Sequence, residues 1–378
     1  MKVLFCGAWD EGCGYPRAAA LRQGLRHAGV EVDECRMAPV AGGRQKQRLL
    51  RQPWRWPGFV VRTALQRVRL RRQLRRALGE RRPEVVVVPY PGHQLIETVA
   101  RTARVPVVLD LFLSAYDTAV TDRGLVAADS VSARMLRALD RRACGAADLV
   151  LVDTEENATF VAELTGIAKE HFAAVAVGDP DAPATPAPYA QPAPGALPLL
   201  FFGTGVPLHG LTTLLEAVAR APAVTLTLIG GTADERAQAQ RLLGARLRLL
   251  PEFVARPQLQ AELDRAALVA GVFGTGPKAA RVVPFKVVHA LASGRPVITA
   301  DTPAARAALG DGAPAFLVPA GDAPALAARL QELARQPELL GAAAARARAV
   351  HDRCFSTQAS GAQLRALLAD LVATGSRR

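Results

Sequence analysis

The stretch VFGTGPKAARVVPFKVVHALASGRPVITAD, residues 272–301, decides how the chain is read. An apolar strand ending near Phe273 runs into a glycine-punctuated loop. A helix is expected from about Pro284 to Ala292 and a second strand from Pro296 to Ile298. Pro284 suits the first helical turn, where a missing N–H costs nothing, and Gly294 suits the helix C-terminus. Lys278, Arg281 and Lys286 fall on the loop and first turns, where free backbone N–H groups and the positive helix end already favour an anion. Strand–loop–helix units are common in α/β domains, and a basic chain scatters its arginines widely. Lysine is scarce, however: only five of the 47 basic side chains are lysine, Lys2, Lys46, Lys169, Lys278 and Lys286. Two of the five in one short stretch point to a phosphate or diphosphate seat.

Outward from this unit the same alternation continues. Strands are expected at Leu199–Gly203, Val224–Ile229, Leu247–Leu250 and Phe316–Val318, separated by helical stretches rich in alanine and leucine. The loop from Thr204 to His209 precedes a helix over Gly210–Ala221. The first half reads likewise, with strands at Val3–Cys6, Val30–Glu34, Val105–Leu109, Leu149–Asp153 and Ala173–Val177, and helices near Pro16–Ala28, Ser130–Cys144 and Glu155–Leu164. EVVVVPY, residues 84–90, is a continuous apolar run of the kind a parallel strand buried on both faces needs. Residues 179–198, DPDAPATPAPYAQPAPGALP, can form neither helix nor interior strand and read as a linker. The expected fold class is therefore α/β, with two doubly wound parallel-sheet domains facing a cleft. The domains span residues 1–178 and 199–355, and a C-terminal helix over 356–378 packs back across them.

At 378 residues the chain is long enough for two domains with sizeable cores. Its formal net charge of +13 implies an acidic partner: nucleic acid, an anionic membrane or a phosphorylated substrate. The five cysteines are scattered, with neither metal-finger spacing nor a close redox pair, which fits a reducing, cytoplasmic compartment. No apolar run of membrane-spanning length is present, and the opening MKVLFCGAW flows into glycine-rich sequence rather than a leader. The expectation is a protein neither secreted nor membrane-spanning.

From Arg44 to Arg76 the segment holds many arginines and no acid, interleaved with Trp54, Trp56 and Phe59. Aromatic rings favour the headgroup boundary and arginines pair with lipid phosphates, so one reading is a helix lying on an anionic bilayer. The alternative is a solvated basic helix packed on the sheet. Nucleic acid is not the expected partner, because no recognised motif accompanies the charge.

Four further groups are candidates by position. Gly12 and Gly14, with Arg17 behind them, follow the first strand; they either admit a ligand close to the backbone or merely turn the chain. His93 follows the strand 84–90, and ligands in open α/β sheets bind beyond strand C-termini. Asp110 ends the strand 105–109, and Asp117 lies in the polar loop after it. Either carboxylate serves substrate hydroxyls, or caps a loop and pairs with an arginine.

FGTGVPLHG at 202–210 with the helix LTTLLEAVA after it, TLIGG ending at 231, PEFV at 251–254, ALASGRPVITADTP within the 278–301 region and VPAGDAPALAARL ending at 330 together resemble the GT-B glycosyltransferases, in particular the large retaining bacterial group that builds surface glycans and glycolipids. YPGH ending at His93, VVLDLFLSAYDTAVTDR ending at 123 and LDRRACGAADLVLVDT ending at 154 resemble one subset of them. The resemblance implies two Rossmann-like domains and transfer of a sugar from a nucleotide diphosphate donor to a lipid-linked or glycan acceptor, as the function of a peripheral protein at the cytoplasmic membrane face, without metal or other cofactor. By resemblance the donor meets Gly203, Thr204, Gly205, His209, Gly230, Val254, Lys278, Arg281, Lys286 and His289. Likewise, His93 and Asp117 are catalytic, while Gly12, Gly14, Arg17 and Asp110 face the acceptor. Common members carry arginine and lysine where this chain has Thr204 and His209, and two glutamates where it has Arg281 and His289. A guanidinium in place of a carboxylate removes an acceptor for sugar hydroxyls and adds a donor for phosphate. The departures leave a second reading, a catalytically silent relative that binds nucleotide as a partner subunit.

Overall fold

The structure, a computed structural model, describes residues 1–9, 16–40, 56–310 and 315–375. The chain forms two units, one of residues 1–180 joined by the last helix Thr357–Ala373, the other of Asp181–Ser356.

The first unit is a six-stranded parallel sheet in the order β2-β1-β3-β4-β5-β6. Its strands are β1 (Lys2–Ala8), β2 (Glu31–Met37), β3 (Val85–Val88), β4 (Val107–Asp110), β5 (Leu149–Val152) and β6 (Phe172–Ala174). Every residue of β3 and β4 is buried, and the alternation of side chains explains how. Val86 and Val88 join Leu4, Cys6 and Leu109 on one face, under Leu70 and Leu74 of the helix Trp56–Arg81. Val85 and Val87 join Val3, Phe5 and Val108 on the other, under Leu21 and Leu25 of the helix Arg17–His27 and Leu364 and Leu368 of the last helix. These last two helices cross at a pair of glycines: a Cβ on Gly361 would run into the backbone of Gly24, and one on Gly24 into the Thr357 carbonyl. Cys6 and Cys35, far apart in sequence, are in-register neighbours on β1 and β2, both as free thiols.

The second unit repeats the plan with sheet order β12-β11-β10-β7-β8-β9, again all parallel. Here β7 is Leu197–Gly203, β8 Val224–Gly230, β9 Leu247–Leu249, β10 Leu268–Ala270, β11 Val297–Ala300 and β12 Ala315–Val318. The core is built from β7, β8 and β10 with Leu214, Leu215 and Val218 of the helix Leu211–Arg220 and Leu326 and Leu330 of the helix Ala323–Arg335. Both sheets and their flanking helices match the doubly wound architecture read from the sequence.

Three local expectations differ. The strand expected to reach Phe273 stops at Ala270, because the Val272 amide donates to Thr299 Oγ1 (3.1 Å) and the Phe273 amide to the His209 carbonyl (3.0 Å) instead of to a neighbouring strand. The glycine-punctuated loop contains a short helix, Pro277–Arg281. Pro284 is the N-cap of the helix Phe285–Ala292 rather than a member of its first turn, with extended ψ of 142°. Gly294 follows that helix with φ of 67°, a conformation glycine adopts without the strain a Cβ brings.

Candidate functional site

In the second unit the candidate donor residues gather where β7 and β8 end. Gly203 and Gly230 are register partners at the last rung, and Gly230 turns away with φ of 90° so close to Gly203 that a Cβ there would collide with its carbonyl. The chain then runs through Thr204 and Gly205 (φ 68°) into the short turn Pro207–His209. That turn is tied down by the Phe273 amide on the His209 carbonyl and the Gly274 amide on the Leu208 carbonyl (3.2 Å). Beside Gly205 the helix Ala233–Leu243 starts with a reciprocal cap, Thr232 N donating to Glu235 Oε2 at 2.7 Å and Glu235 N to Thr232 Oγ1 at 3.2 Å.

His209 and Lys286 converge on Gly203. A Cβ at that position would lie 2.5 Å from His209 Cε1 and 2.9 Å from Lys286 Nζ, so the missing side chain is what lets the two bases meet the strand end. The His209 ring packs edge-on against Phe201 (centroids 5.7 Å apart, 82° between planes), and Lys286 Nζ lies over the same Phe201 ring. Both side chains are buried, and neither Lys286 Nζ nor His209 Nδ1 has a hydrogen-bond partner among the described residues. Burial holds the Lys286 ammonium well below the usual lysine range, partly opposed by Glu235. Burial first and Lys286 second push the His209 imidazole down to about 2, so His209 is neutral. A buried amine with no acceptor in reach is costly, and an anion would reverse that cost by supplying one.

The other donor candidates are less uniform. His289 is buried and edge-on to Phe285 at 4.2 Å, and Arg256 Nη1 reaches its two ring nitrogens at 2.8 and 3.1 Å while Nη2 donates to the Asp181 carbonyl (3.0 Å). Sequence reading missed Arg256; no local pattern marks an arginine that meets a histidine 33 positions later. Lys278 sits in the helix Pro277–Arg281, buried and already engaged, and Arg281 is half-buried and engaged as well. Of the three cations expected at an anion seat, Lys286 is the one whose amine makes no hydrogen bond among the described residues. Val254 is half-buried in the turn before the helix Arg256–Arg265, next to an exposed Phe253.

In the first unit His93 lies just past β3. Its Nε2 stands 3.2 Å from Asp140 Oδ1, within ion-pair reach but not aligned for a full hydrogen bond. Tyr90 meets His93 edge-on at 6.2 Å and Phe112 edge-on at 5.6 Å. Phe112 has φ of 51°, a left-handed value rare for a bulky residue and one that clusters at functional sites. Asp117 is buried at the start of the helical turn Asp117–Asp122, its amide donating to Ser114 Oγ at 3.0 Å.

Arg17 and Asp110 are corrected. Both are fully buried and bonded to each other, Arg17 Nε to Asp110 Oδ1 at 2.6 Å, with the remaining guanidinium nitrogens donating to the Val175 (2.7 Å) and Val152 (3.0 Å) carbonyls. Burial raises the Asp110 carboxyl, against the pull of Arg17. This is a strut that closes strand-end carbonyls, not a surface that receives an acceptor, because no group of the pair faces solvent. Gly12, Gly14 and Trp54 lie outside the described residues, as does the Trp56 side chain. Phe59 is only half-exposed; the apolar side chains that point outward from the helix Trp56–Arg81 are Val60, Val61, Leu65 and Val68, each more than half exposed. A surface groove of about 520 Å³ beside Glu97, Arg101 and Arg142 is closed on itself by charge, with Arg142 Nη2 2.8 Å from Glu97 Oε1. Among the described residues no cluster of three His, Cys, Asp or Glu side chains suits a metal ion, and no helix is long and apolar enough to cross a membrane.

Comparison with known proteins follows this geometry. Residues 14–178 match the model of a glycosyl transferase 4-like domain, and residues 197–336 that of glycosyl transferases group 1. No curated protein matches the chain by sequence. Among solved structures, sucrose-phosphate synthase from Thermosynechococcus elongatus superposes with a TM-score of 0.69 at 17% identity, over 99% of each chain. Anabaena Alr3699/HepE in complex with UDP gives 0.66 at 18% identity, over 98% of this chain and 100% of that one. The lipopolysaccharide outer core galactosyltransferase WaaB gives 0.63 at 13% identity, over 98% and 100%. The two domain models follow each other along about four-fifths of the chain, each on one of the two parallel sheets, and the chain belongs to the GT-B glycosyltransferases.

Proposed function

We propose that the chain transfers a sugar from a uridine diphosphate donor, held by residues 181–356, to a lipid-linked or glycan acceptor received by the first unit. The observation that carries this reading is Lys286: a buried ammonium without a hydrogen-bond partner among the described residues, beside a strand-end glycine and a neutral His209. A diphosphate would provide the missing acceptors, and charge developing on the leaving nucleotide would be stabilised by Lys286 and backbone amides. In this reading no metal or other cofactor is required and the anomeric configuration is retained, as in the group the sequence resembles. The choice of uridine is supported by HepE, whose structures hold UDP and UDP-glucose.

The acceptor reading draws on two features. WaaB is a lipopolysaccharide galactosyltransferase by its name. The outward face of the helix Trp56–Arg81 sets Val60, Val61, Leu65 and Val68 beside exposed Arg62, Arg69, Arg72 and Arg76, an apolar stripe with cations suited to an anionic bilayer. In this reading the protein works at the cytoplasmic membrane face and nucleic acid is not its partner, which the apolar and cationic stripe supports.

A thermal-shift series with UDP, GDP, ADP and CMP, on wild type and Lys286→Ala, tests the donor site. UDP at about 100 times its dissociation constant should add about 2.7 kcal/mol, lost in the variant. No stabilisation by any nucleotide would sink the reading. A second reading, a nucleotide-binding subunit without turnover, is favoured by Arg256 occupying the ring nitrogens of His289. UDP stabilisation without release of sugar from UDP-sugars, with or without acceptor glycolipids, would select it.

A further inference from the structure

Asp140 lies on the helix Val131–Gly145 and is completely buried. Oδ2 accepts hydrogen bonds from Ser114 Oγ at 2.7 Å and the Tyr116 amide at 3.0 Å; Oδ1 accepts from the Ala115 amide at 3.0 Å and faces His93 Nε2 at 3.2 Å. One carboxylate therefore seats the loop that leads into Asp117 and contacts His93, which comes from a different strand end. Burial alone would raise this carboxyl, but His93 and the donors from Ser114 and Tyr116 outweigh it and hold it below the usual carboxylate range. Asp140 is ionised, and an ionised carboxylate only accepts.

The consequence falls on His93. The ring nitrogen facing a carboxylate must carry the hydrogen, which sets the neutral imidazole to its Nε2–H form and leaves the lone pair on Nδ1. Among the described residues no hydrogen bond is made to Nδ1, while Nε2 faces the carboxylate without the alignment of a full hydrogen bond. Beside it the Tyr90 and Phe112 rings, both half-buried, add apolar surface at the same strand ends.

We propose that Asp140 is a positioning residue: it holds His93 in the Nε2–H form, so that Nδ1 is presented as the acceptor for a hydroxyl of the bound sugar substrate. The substrate contact rests on the glycosyltransferase reading above; the tautomer and its control by Asp140 do not.

The test uses the full chain labelled with ¹⁵N-histidine, the His93 signals being assigned by difference with His93→Gln, at a pH where the imidazole is neutral. In wild type Nδ1 should show the pyridine-type shift and Nε2 the pyrrole-type shift. In Asp140→Asn the amide oxygen keeps Ser114 and Tyr116, its NH2 turns to Nε2, and the two shifts should exchange. Ser114→Ala removes the Oγ bonds to Asp140 and from the Asp117 amide without touching His93 and should leave the wild-type pattern. A wild-type ring protonated on Nδ1, an Asp140→Asn ring unchanged from wild type, or a Ser114→Ala ring altered as in Asp140→Asn each overturns the proposal. If Asp140→Asn does not fold, the wild-type and Ser114→Ala spectra still decide. UDP stabilisation, measured on the same samples, reports the donor site separately, so failure of one is not failure of the other.

Discussion

Lys286 Nζ sits 3.8 Å from the centroid of the Phe201 ring. The ring face is the main electrostatic partner of a buried ammonium that no acceptor reaches, and a cation–π contact of about 2 kcal/mol when desolvated replaces only part of lost hydration. Its proton is held weakly for that reason. A diphosphate arriving at Nζ would favour the charged form, so UDP binding should be accompanied by proton uptake on the alkaline side of neutrality. Calorimetry in buffers of different ionisation enthalpy reads this directly. Whatever weaker UDP binding Lys286→Met retains should show no buffer dependence, and a buffer-independent wild type would refute the account.

His209 gives a prediction for acid. Its pKa is about 2 in the folded chain and about 6.5 when unfolded, so within that window the unfolded chain binds the extra proton. Stability should fall as pH drops below about 6.5, by at most about 1.4 kcal/mol per pH unit from this group. His209→Phe, which keeps a ring against Phe201, should flatten that slope for the unit 181–356 in urea titrations from about pH 6.5 to about pH 4.5. An unchanged slope would show that His209 is hydrated in solution.

Arg17→Met should destabilise the first unit by about 3–5 kcal/mol, because it strands the Asp110 carboxylate without its partner in a fully buried position. Arg17→Met with Asp110→Leu should regain most of the loss. Denaturant midpoints of the single and double variants measure both. A near-neutral Arg17→Met that instead weakened acceptor binding would return the pair to a substrate role.

Gly361→Val should lower stability by about 1–3 kcal/mol or more, since its Cβ would overlap the Gly24 backbone where the helices Arg17–His27 and Thr357–Ala373 cross. The control Gly79→Ala, in open space on the helix Trp56–Arg81, should be neutral or slightly stabilising. Equal effects at the two positions would mean the crossing is looser than described.

Much of the fold was legible because parallel strands buried on both faces must be apolar without interruption. EVVVV therefore reads as β3, and VVLD as β4, before any partner is known. The donor end was legible in part: glycines at strand ends and scarce lysines are local signals, and Gly203 and Lys286 do meet. Lys278 differs from Lys286 in engagement rather than burial: both are buried, but Lys278, on the helical turn Pro277–Arg281, already has a partner within the chain. Asp140 and Arg256 left no signal, since each acts on a histidine in another element.

By itself the sequence determined two alternating α/β halves, because these rest on contacts between near neighbours and on backbone preference. Tertiary structure alone decided which polar side chains share a buried site. Arg17 and Asp110 are 93 positions apart, yet they became a strut. Lys286 Nζ and His209 Nδ1 were left without hydrogen-bond partners among the described residues, and Asp140 became a hub. Burial is what separates these outcomes: once water is removed, a charge is either satisfied by a partner from elsewhere in the chain or left to bind something else.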